Sequence, residues 1–470
     1  MQRIAIVGAG FSGAATVIQL LRRHGHEPLA VTLISRHPEL GRGVAYGTQS
    51  PSHLLNVPAA RMSLFPDDEG DFLRFAQARD ASVGGGSFVP RRLYGEYLAT
   101  RLQEAVAAAK TAHFTALTAE ATDLQATSTG HTRIGLAGGG ALEVDQVVIA
   151  SGNYPPADPR LADMSFYRQA RYVRDPWAPG ALDAVAVQQP VLLIGSGLTM
   201  MDVVLELERR GLASRLHAIS RRGLLPLAHR PHGSGTLEPS VVVDMLRFGS
   251  PSVRRWLRAL RLCAAELAEN GIDWRDVLAA LRPVTAELWQ SLDLPERKRF
   301  LRHLQPYWDS HRHRTAPEAY SALQKLLREG RLTVQAGRLL HFDATTDGKV
   351  KVSWRLRHTT KPQSLEVGTV INCTGPSARV ERSGDPLVLC LLQQGLMLPD
   401  ALGLGVQVDG GGALLDRDGR ASDRLFYTGP LLKARDWECT AVPELRVAAM
   451  KLADRLVAGL PKQVAQSGTA

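Results

Sequence analysis

Three glycines, Gly8, Gly10 and Gly13, limit what this chain can fold into more than any other feature. They stand in the run Ile4-Ala5-Ile6-Val7-Gly8-Ala9-Gly10-Phe11-Ser12-Gly13-Ala14-Ala15. The apolar residues before them predict a buried strand. Val17, Ile18, Leu20 and Leu21 behind them predict the inner face of an amphipathic helix. A strand, a tight turn and a helix start together make a cradle for a pyrophosphate. Gly8 lets the chain turn, Gly10 lets a phosphate reach the backbone, and Gly13 lets the helix lie close to the strand. The free N–H groups of the first helical turn, at Phe11 and Ser12, then face the anion. The spacing therefore predicts a dinucleotide-binding βαβ unit.

The same pattern returns in Val191-Leu192-Leu193-Ile194-Gly195-Ser196-Gly197-Leu198-Thr199. Each copy is followed by a second strand. The first, Val31-Thr32-Leu33-Ile34, ends in Ser35 and Arg36; the second, Leu216-His217-Ala218-Ile219, ends in Ser220, Arg221 and Arg222. A dinucleotide fold usually has an acid there for the ribose hydroxyls. Ser35 can still hydrogen-bond a hydroxyl, with Arg36 on the adenine or a phosphate. At the second site two guanidinium groups suit a 2′-phosphate, so NADPH is expected over NADH. Each half later closes on a strand followed by a small residue and glycine, at Ser151-Gly152 and Thr374-Gly375. Gly152 and Gly375 are where the chain can pass close to a cofactor.

This internal repeat gives the expected architecture. It is α/β, with two Rossmann-like dinucleotide-binding domains, one inserted in the other, plus a helical insertion. The expected FAD-binding domain comprises 1–165 and 371–470. The NADPH-binding domain spans 166–370 and contains the helical insertion at about 236–330, with helices from Val253 to Asn270 and from Leu292 to Leu304. A helix from Pro90 to about Lys110, strands over 113–149 and a frayed tail at 461–470 complete the reading.

Composition narrows the function classes. The chain has 470 residues, 44% of them hydrophobic, which suits two or three domains. Cys263, Cys373, Cys390 and Cys439 are scattered, without a CxxC pair or zinc spacing, so no metal site is expected. No apolar run suggests a membrane span, and the first strand starts too near Met1 for a signal peptide. A cytoplasmic location is expected, with no membrane partner and room for a homo-oligomer. The net charge of +10 permits nucleic-acid binding, but the basic residues are spread through helices without an aromatic–basic motif. Two anionic cofactors account for part of the excess, and nucleic acid is not expected.

Two stretches remain. One is the loop carrying Gly43-Val44-Ala45-Tyr46, Leu55-Asn56-Val57-Pro58 and Arg61-Met62-Ser63. The other is Tyr307-Trp308-Asp309-Ser310-His311-Arg312-His313-Arg314. If the second faces the cofactor cleft, Arg312 and Arg314 can clamp a carboxylate and the histidines can move protons, which fits a small anionic or amino-acid-like substrate. Otherwise it is a solvated helix end with Tyr307 and Trp308 in the core.

With these motifs and Ser220-Arg221-Arg222-Gly223-Leu224, the chain resembles the FAD/NAD(P)-binding flavoproteins with two dinucleotide-binding domains. It is more distantly similar to single-component flavin monooxygenases, including the amino-acid N-hydroxylases. The resemblance implies that FAD and NADPH bind, that NADPH reduces FAD, and that O2 then oxidises a small-molecule substrate. Asn56 matches an asparagine that lies near the flavin in those enzymes, with Met62 close by. Gly429 and the helix start at Thr440, Ala441 and Val442 are implied to face the flavin pyrimidine. Two other readings stay open: an NADPH-dependent flavin reductase or dehydrogenase without oxygen insertion, and a low-turnover redox sensor.

Overall fold

The computed structural model describes residues 1–25, 27–230 and 237–459. The expected start of the helical insertion at 236 and the tail 461–470 lie outside the described residues.

The first sheet has six strands drawn from both ends of the chain. Its central strand, Gln2–Val7, pairs in parallel with Leu29–Ser35 on one side and Gln146–Ile149 on the other. Ala112–Thr118 extends it beyond Leu29–Ser35. Ala421–Tyr427 joins on the opposite side, parallel to Gln146–Ile149, and Ala413–Leu415 forms that edge, antiparallel to it. One core joins Ile4, Ile6, Ile18, Leu33 and Tyr97 to Phe426, Leu445 and Leu452. Residues between Val380 and Leu456 therefore return to the core of the first sheet.

The second sheet is built on Val191–Ile194. That strand pairs with Leu216–Ser220 and, on its other side, with Thr369–Asn372. Leu332–Ala344 follows in parallel to Leu216–Ser220, then turns antiparallel into Val350–Leu356 and Pro362–Val367. The two halves repeat each other in space as well as in sequence. Gly8 has φ +111° and Gly195 φ +112°. A Cβ on Gly8 would run into the Ala150 carbonyl, and one on Gly195 into the Cys373 carbonyl. Each glycine thus lets its turn cross the end of the neighbouring strand.

Between Leu216–Ser220 and Leu332–Ala344 lies the insertion. Helices Pro239–Arg247, Val253–Glu269 and Trp274–Ala280 bury a small core of Val242, Leu246, Cys263 and Val277. A second patch, Val253, Trp289 and Leu292, packs on Trp437 of the first domain. The insertion therefore caps the cleft between the domains. Helix Pro317–Arg328 does not belong to it, because Leu323 and Leu326 pack with Val191, Met201 and Val204 in the second domain's core. It is the crossover that two parallel strands need.

The domains are bolted together around the loop after the second strand. Arg91 donates to Asp202 at 2.7 Å and to the Leu54 carbonyl at 3.1 Å. The hydroxyls of Ser50 and Ser52 donate to Glu206 at 2.5 and 3.3 Å. Asp202 and Glu206 lie on the helix Leu198–Arg209 that follows the second glycine turn. No helix among the described residues is long and apolar enough to cross a membrane.

Candidate active site

Both glycine turns open helices whose first N–H groups no side chain caps. Gly10 is the N-cap of Phe11–Arg23 and Gly197 that of Leu198–Arg209. Phe11, Ser12, Leu198 and Thr199 thus stand where uncapped amides and a positive helix end receive an anion. Space differs between the turns. A Cβ on Gly197 would have nothing within 4 Å, whereas one on Gly10 would stand 3.7 Å from the Gly43 Cα. Met200, fully buried, takes the place in the second turn that Gly13 holds in the first.

The strands of both sheets end in left-handed glycines. Gly152 and Gly375 have φ of +73° and +83°, and Gly429 has +133°. A Cβ on Gly429 would lie 3.6 Å from Ser12 Oγ, so this glycine sits on the first turn. Beside it the Thr428 hydroxyl is buried without a hydrogen-bond partner. A buried hydroxyl rarely stays unpaired in a finished site. The last helix, Val442–Ala458, starts after Thr440 and Ala441 with no side-chain cap. Pro443 and Glu444 sit in its first turn, as their chemistry favours. An orphan hydroxyl, a glycine seated on the first turn and an uncapped helix start fit a bound flavin nucleotide.

The residues after the second strands are partly engaged. Ser35 Oγ accepts from the His37 amide at 3.2 Å, and Arg36 pairs with Asp385 at 3.2 Å. In the second domain Ser220 Oγ accepts from Ser196 and from the Gly223 amide. Arg221 is exposed. Arg222 lies over the Tyr307 ring at 5.0 Å and donates to the Arg302 carbonyl at 3.2 Å. That carbonyl is available for a local reason. Pro306 has no N–H to return to it, and the helix widens into a π turn over Phe300–Leu304. Tyr307, 39% exposed, is therefore not a core residue.

Trp308 turns inward and donates to Glu438 at 2.7 Å. Arg312 Nε approaches the same carboxylate at 3.3 Å. Burial pushes Glu438 up, but Arg312, His313 and the Trp308 N–H outweigh it and hold the carboxyl below its usual range. Segment 309–314 is thus tied to a residue two positions before Thr440. Thr315, which follows it, pairs with the loop after strand Leu216–Ser220. The His229 amide donates to the Thr315 carbonyl, and the Thr315 amide to that of Leu227, both at 3.0 Å.

Asn56 is where the halves meet. Its carbonyl accepts from His229 Nε2 at 3.0 Å. Met62, behind the same loop, is buried at 2% exposure, and the adjoining Ser63 carbonyl accepts from Arg446 at 3.0 Å. Asn56, Arg312 and Arg314 all come near His229, which bonds the first and feels the charges of the other two. His311 does not join it: its ring bonds the Tyr307 carbonyl and meets Trp274 edge-on. Sequence reasoning missed His229, Glu438 and Thr428. Each is a single polar residue without a motif, and only the folded chain brings it to the cleft.

His229 carries a pH prediction. Burial, then the Arg314 charge, lowers its pKa from 6.5 to about 4. The folded chain thus binds this proton more weakly than the unfolded one. Stability is full above about pH 6.5 and falls as pH drops toward 4, by about 3 kcal/mol from this group. His229→Gln should lose correspondingly less stability than the parent between pH 7 and pH 4.5 in urea unfolding of the cofactor-free protein. Equal losses would show that His229 titrates normally.

Residues 5–154 match the sequence model of a family described as FAD-NAD(P)-binding. An uncharacterised protein of Mycobacterium tuberculosis is 24% identical over 533 residues, covering 97% of this chain and 95% of its own length. The reduced form of the Pseudomonas aeruginosa ornithine hydroxylase superposes with a TM-score of 0.64 at 15% identity, over 98% of this chain and 100% of that one. The Kutzneria ornithine N-hydroxylase, solved with reduced FAD, NADP+ and L-ornithine, gives 0.63 at 14% identity, over 96% and 98%. The chain therefore carries an FAD-NAD(P)-binding domain at residues 5–154 and, over nearly its whole length, the fold of the flavin-dependent N-hydroxylating monooxygenases.

Proposed function

We propose that the chain is an NADPH-dependent, single-component FAD monooxygenase acting on a small molecule. The observation that carries this reading is the bond from His229 to Asn56. It draws the loop that follows the second domain's strand Leu216–Ser220 onto the loop carrying Asn56, which would bring the two nucleotide cradles to one cleft. FAD would lie on Gly8–Gly13, with Gly152, Thr428, Gly429 and the start of the last helix around its ring. Uncapped N–H groups there favour negative charge on a reduced ring. NADPH would lie on Gly195–Thr199 with its 2′-phosphate at Ser220, Arg221 and Arg222. Bound flavin supplies the hydride acceptance and the oxygen activation; the chain supplies position and dryness. The Asn56 amide would orient the nicotinamide or the oxygen being transferred.

The test is isotopic. Holoprotein given NADPH, 18O2 and a metabolite mixture should yield a product carrying one 18O atom. NADPH oxidation that yields only hydrogen peroxide, or equally fast dye reduction without oxygen, would replace this reading with a reductase. No flavin reduction by NADPH would leave only the sensor.

Cofactor choice gives a separate prediction. Arg221→Ala with Arg222→Ala should raise the KM for NADPH by about tenfold or more and leave that for NADH within about twofold. Equal effects on both would dismiss the phosphate contact.

A further inference from the structure

The cleft beside Asn56 holds more guanidinium groups than carboxylates to match them. Arg230 is taken by Asp276, and Arg275 by Asp273 at 3.2 Å. Arg282 is taken by Glu444 at 2.5 Å. Arg312 has Glu438 beside it, yet its buried Nε and Nη2 make no hydrogen bond. Arg314 has no ion-pair partner among the described residues, and its buried Nε is likewise unbonded. Burial and then the neighbouring Arg312 charge lower its pKa to about 10, which reflects how poorly its charge is matched.

A buried cationic donor without an acceptor is costly, and an oxyanion removes that cost with charge-assisted hydrogen bonds. Three unbonded nitrogens sit on two arginines whose charges act on each other and on His229, the ring that holds the Asn56 carbonyl. Glu438 cannot serve both, because it already holds Trp308 and faces Arg312. A cationic amine entering here would meet Arg312 and Arg314 with like charge.

We infer that the substrate is an anion whose carboxylate or phosphate group seats between Arg312 and Arg314, and that the cleft turns cationic amines away. This rests on the reading of the cleft as a flavin monooxygenase site. It deepens that reading by naming the substrate's charge.

The test uses FAD-loaded protein, with glutarate, inorganic phosphate and L-ornithine titrated separately by calorimetry at constant ionic strength. Glutarate or phosphate should bind the parent at least about tenfold more tightly than Arg314→Gln. Arg314→Lys should recover only part of that affinity, since it keeps the charge but not the fork. Arg420→Gln, at a residue whose side chain is 79% exposed, should bind like the parent. L-Ornithine should bind the parent no better than Arg314→Gln. Melting curves for each variant confirm that it is folded; Arg314→Lys carries the comparison should Arg314→Gln not fold.

Equal anion binding by the parent and both Arg314 variants overturns the inference, as does tighter binding of L-ornithine than of both anions. A loss of NADP+ affinity in Arg314→Gln without a loss for either small anion also overturns it, since Arg314 would then serve the nicotinamide nucleotide. A chain that takes up no FAD defeats the flavin reading separately, and anion binding can still be read on that chain.

Discussion

Arg91→Ala should lower the stability of this chain by about 3–5 kcal/mol, the usual penalty for stranding one member of a buried ion pair. Arg91 and Asp202 are exposed by only 15% and 12% at their side chains. Arg91 also holds the Leu54 carbonyl at 3.1 Å, on the loop that leads to Asn56. Burial pushes the Asp202 carboxyl up, and Arg91 is the first group that holds it back. Without Arg91 that carboxyl must take a proton or remain an uncompensated charge. The measurement is urea unfolding, with flavin fluorescence reporting release of FAD. Arg91→Met combined with Asp202→Leu should recover most of the loss, because two apolar groups leave nothing unpaired. A loss below about 1 kcal/mol for Arg91→Ala would mean that the interface does not depend on this pair.

Gly8→Ala and Gly197→Ala should separate sharply, although both change a glycine in the same motif. At Gly8 the φ of +111° and the Ala150 carbonyl leave no place for a methyl group. That variant should lose about 3 kcal/mol or more and fail to retain FAD. At Gly197 φ is −88° and a Cβ meets nothing within 4 Å. Gly197→Ala should therefore fold within about 1 kcal/mol of the parent, while its methyl group occupies the space expected for a phosphate. Its NADPH affinity should fall by about tenfold or more, read as flavin reduction against NADPH concentration. If both variants fold normally, Gly8 does not carry the turn. If Gly197→Ala binds NADPH normally, the pyrophosphate lies elsewhere.

Much of the fold could be read before any coordinates. A glycine turn behind an apolar strand is a local pattern, and its two copies at Gly8 and Gly195 mark two βαβ units. Pro443 and Glu444 announced the start of the last helix in the same local way. The site was less legible. Arg312 and Arg314 lie on a short run that a sequence cannot orient, so a carboxylate clamp and a solvated helix end were equally compatible with it. Glu438 excludes a solvated end for Arg312, which it anchors from more than a hundred residues away. His229 belongs to no motif and matters only because Asn56 is brought to its ring.

The amino-acid order by itself determined where the backbone must turn and which faces must be buried, because glycine conformation and apolar periodicity act over a few residues. The tertiary structure alone decided which charges lack partners. Ion pairing and desolvation depend on distances between segments far apart in the chain. The unmatched arginines beside Asn56 appear only when the insertion closes over the first domain.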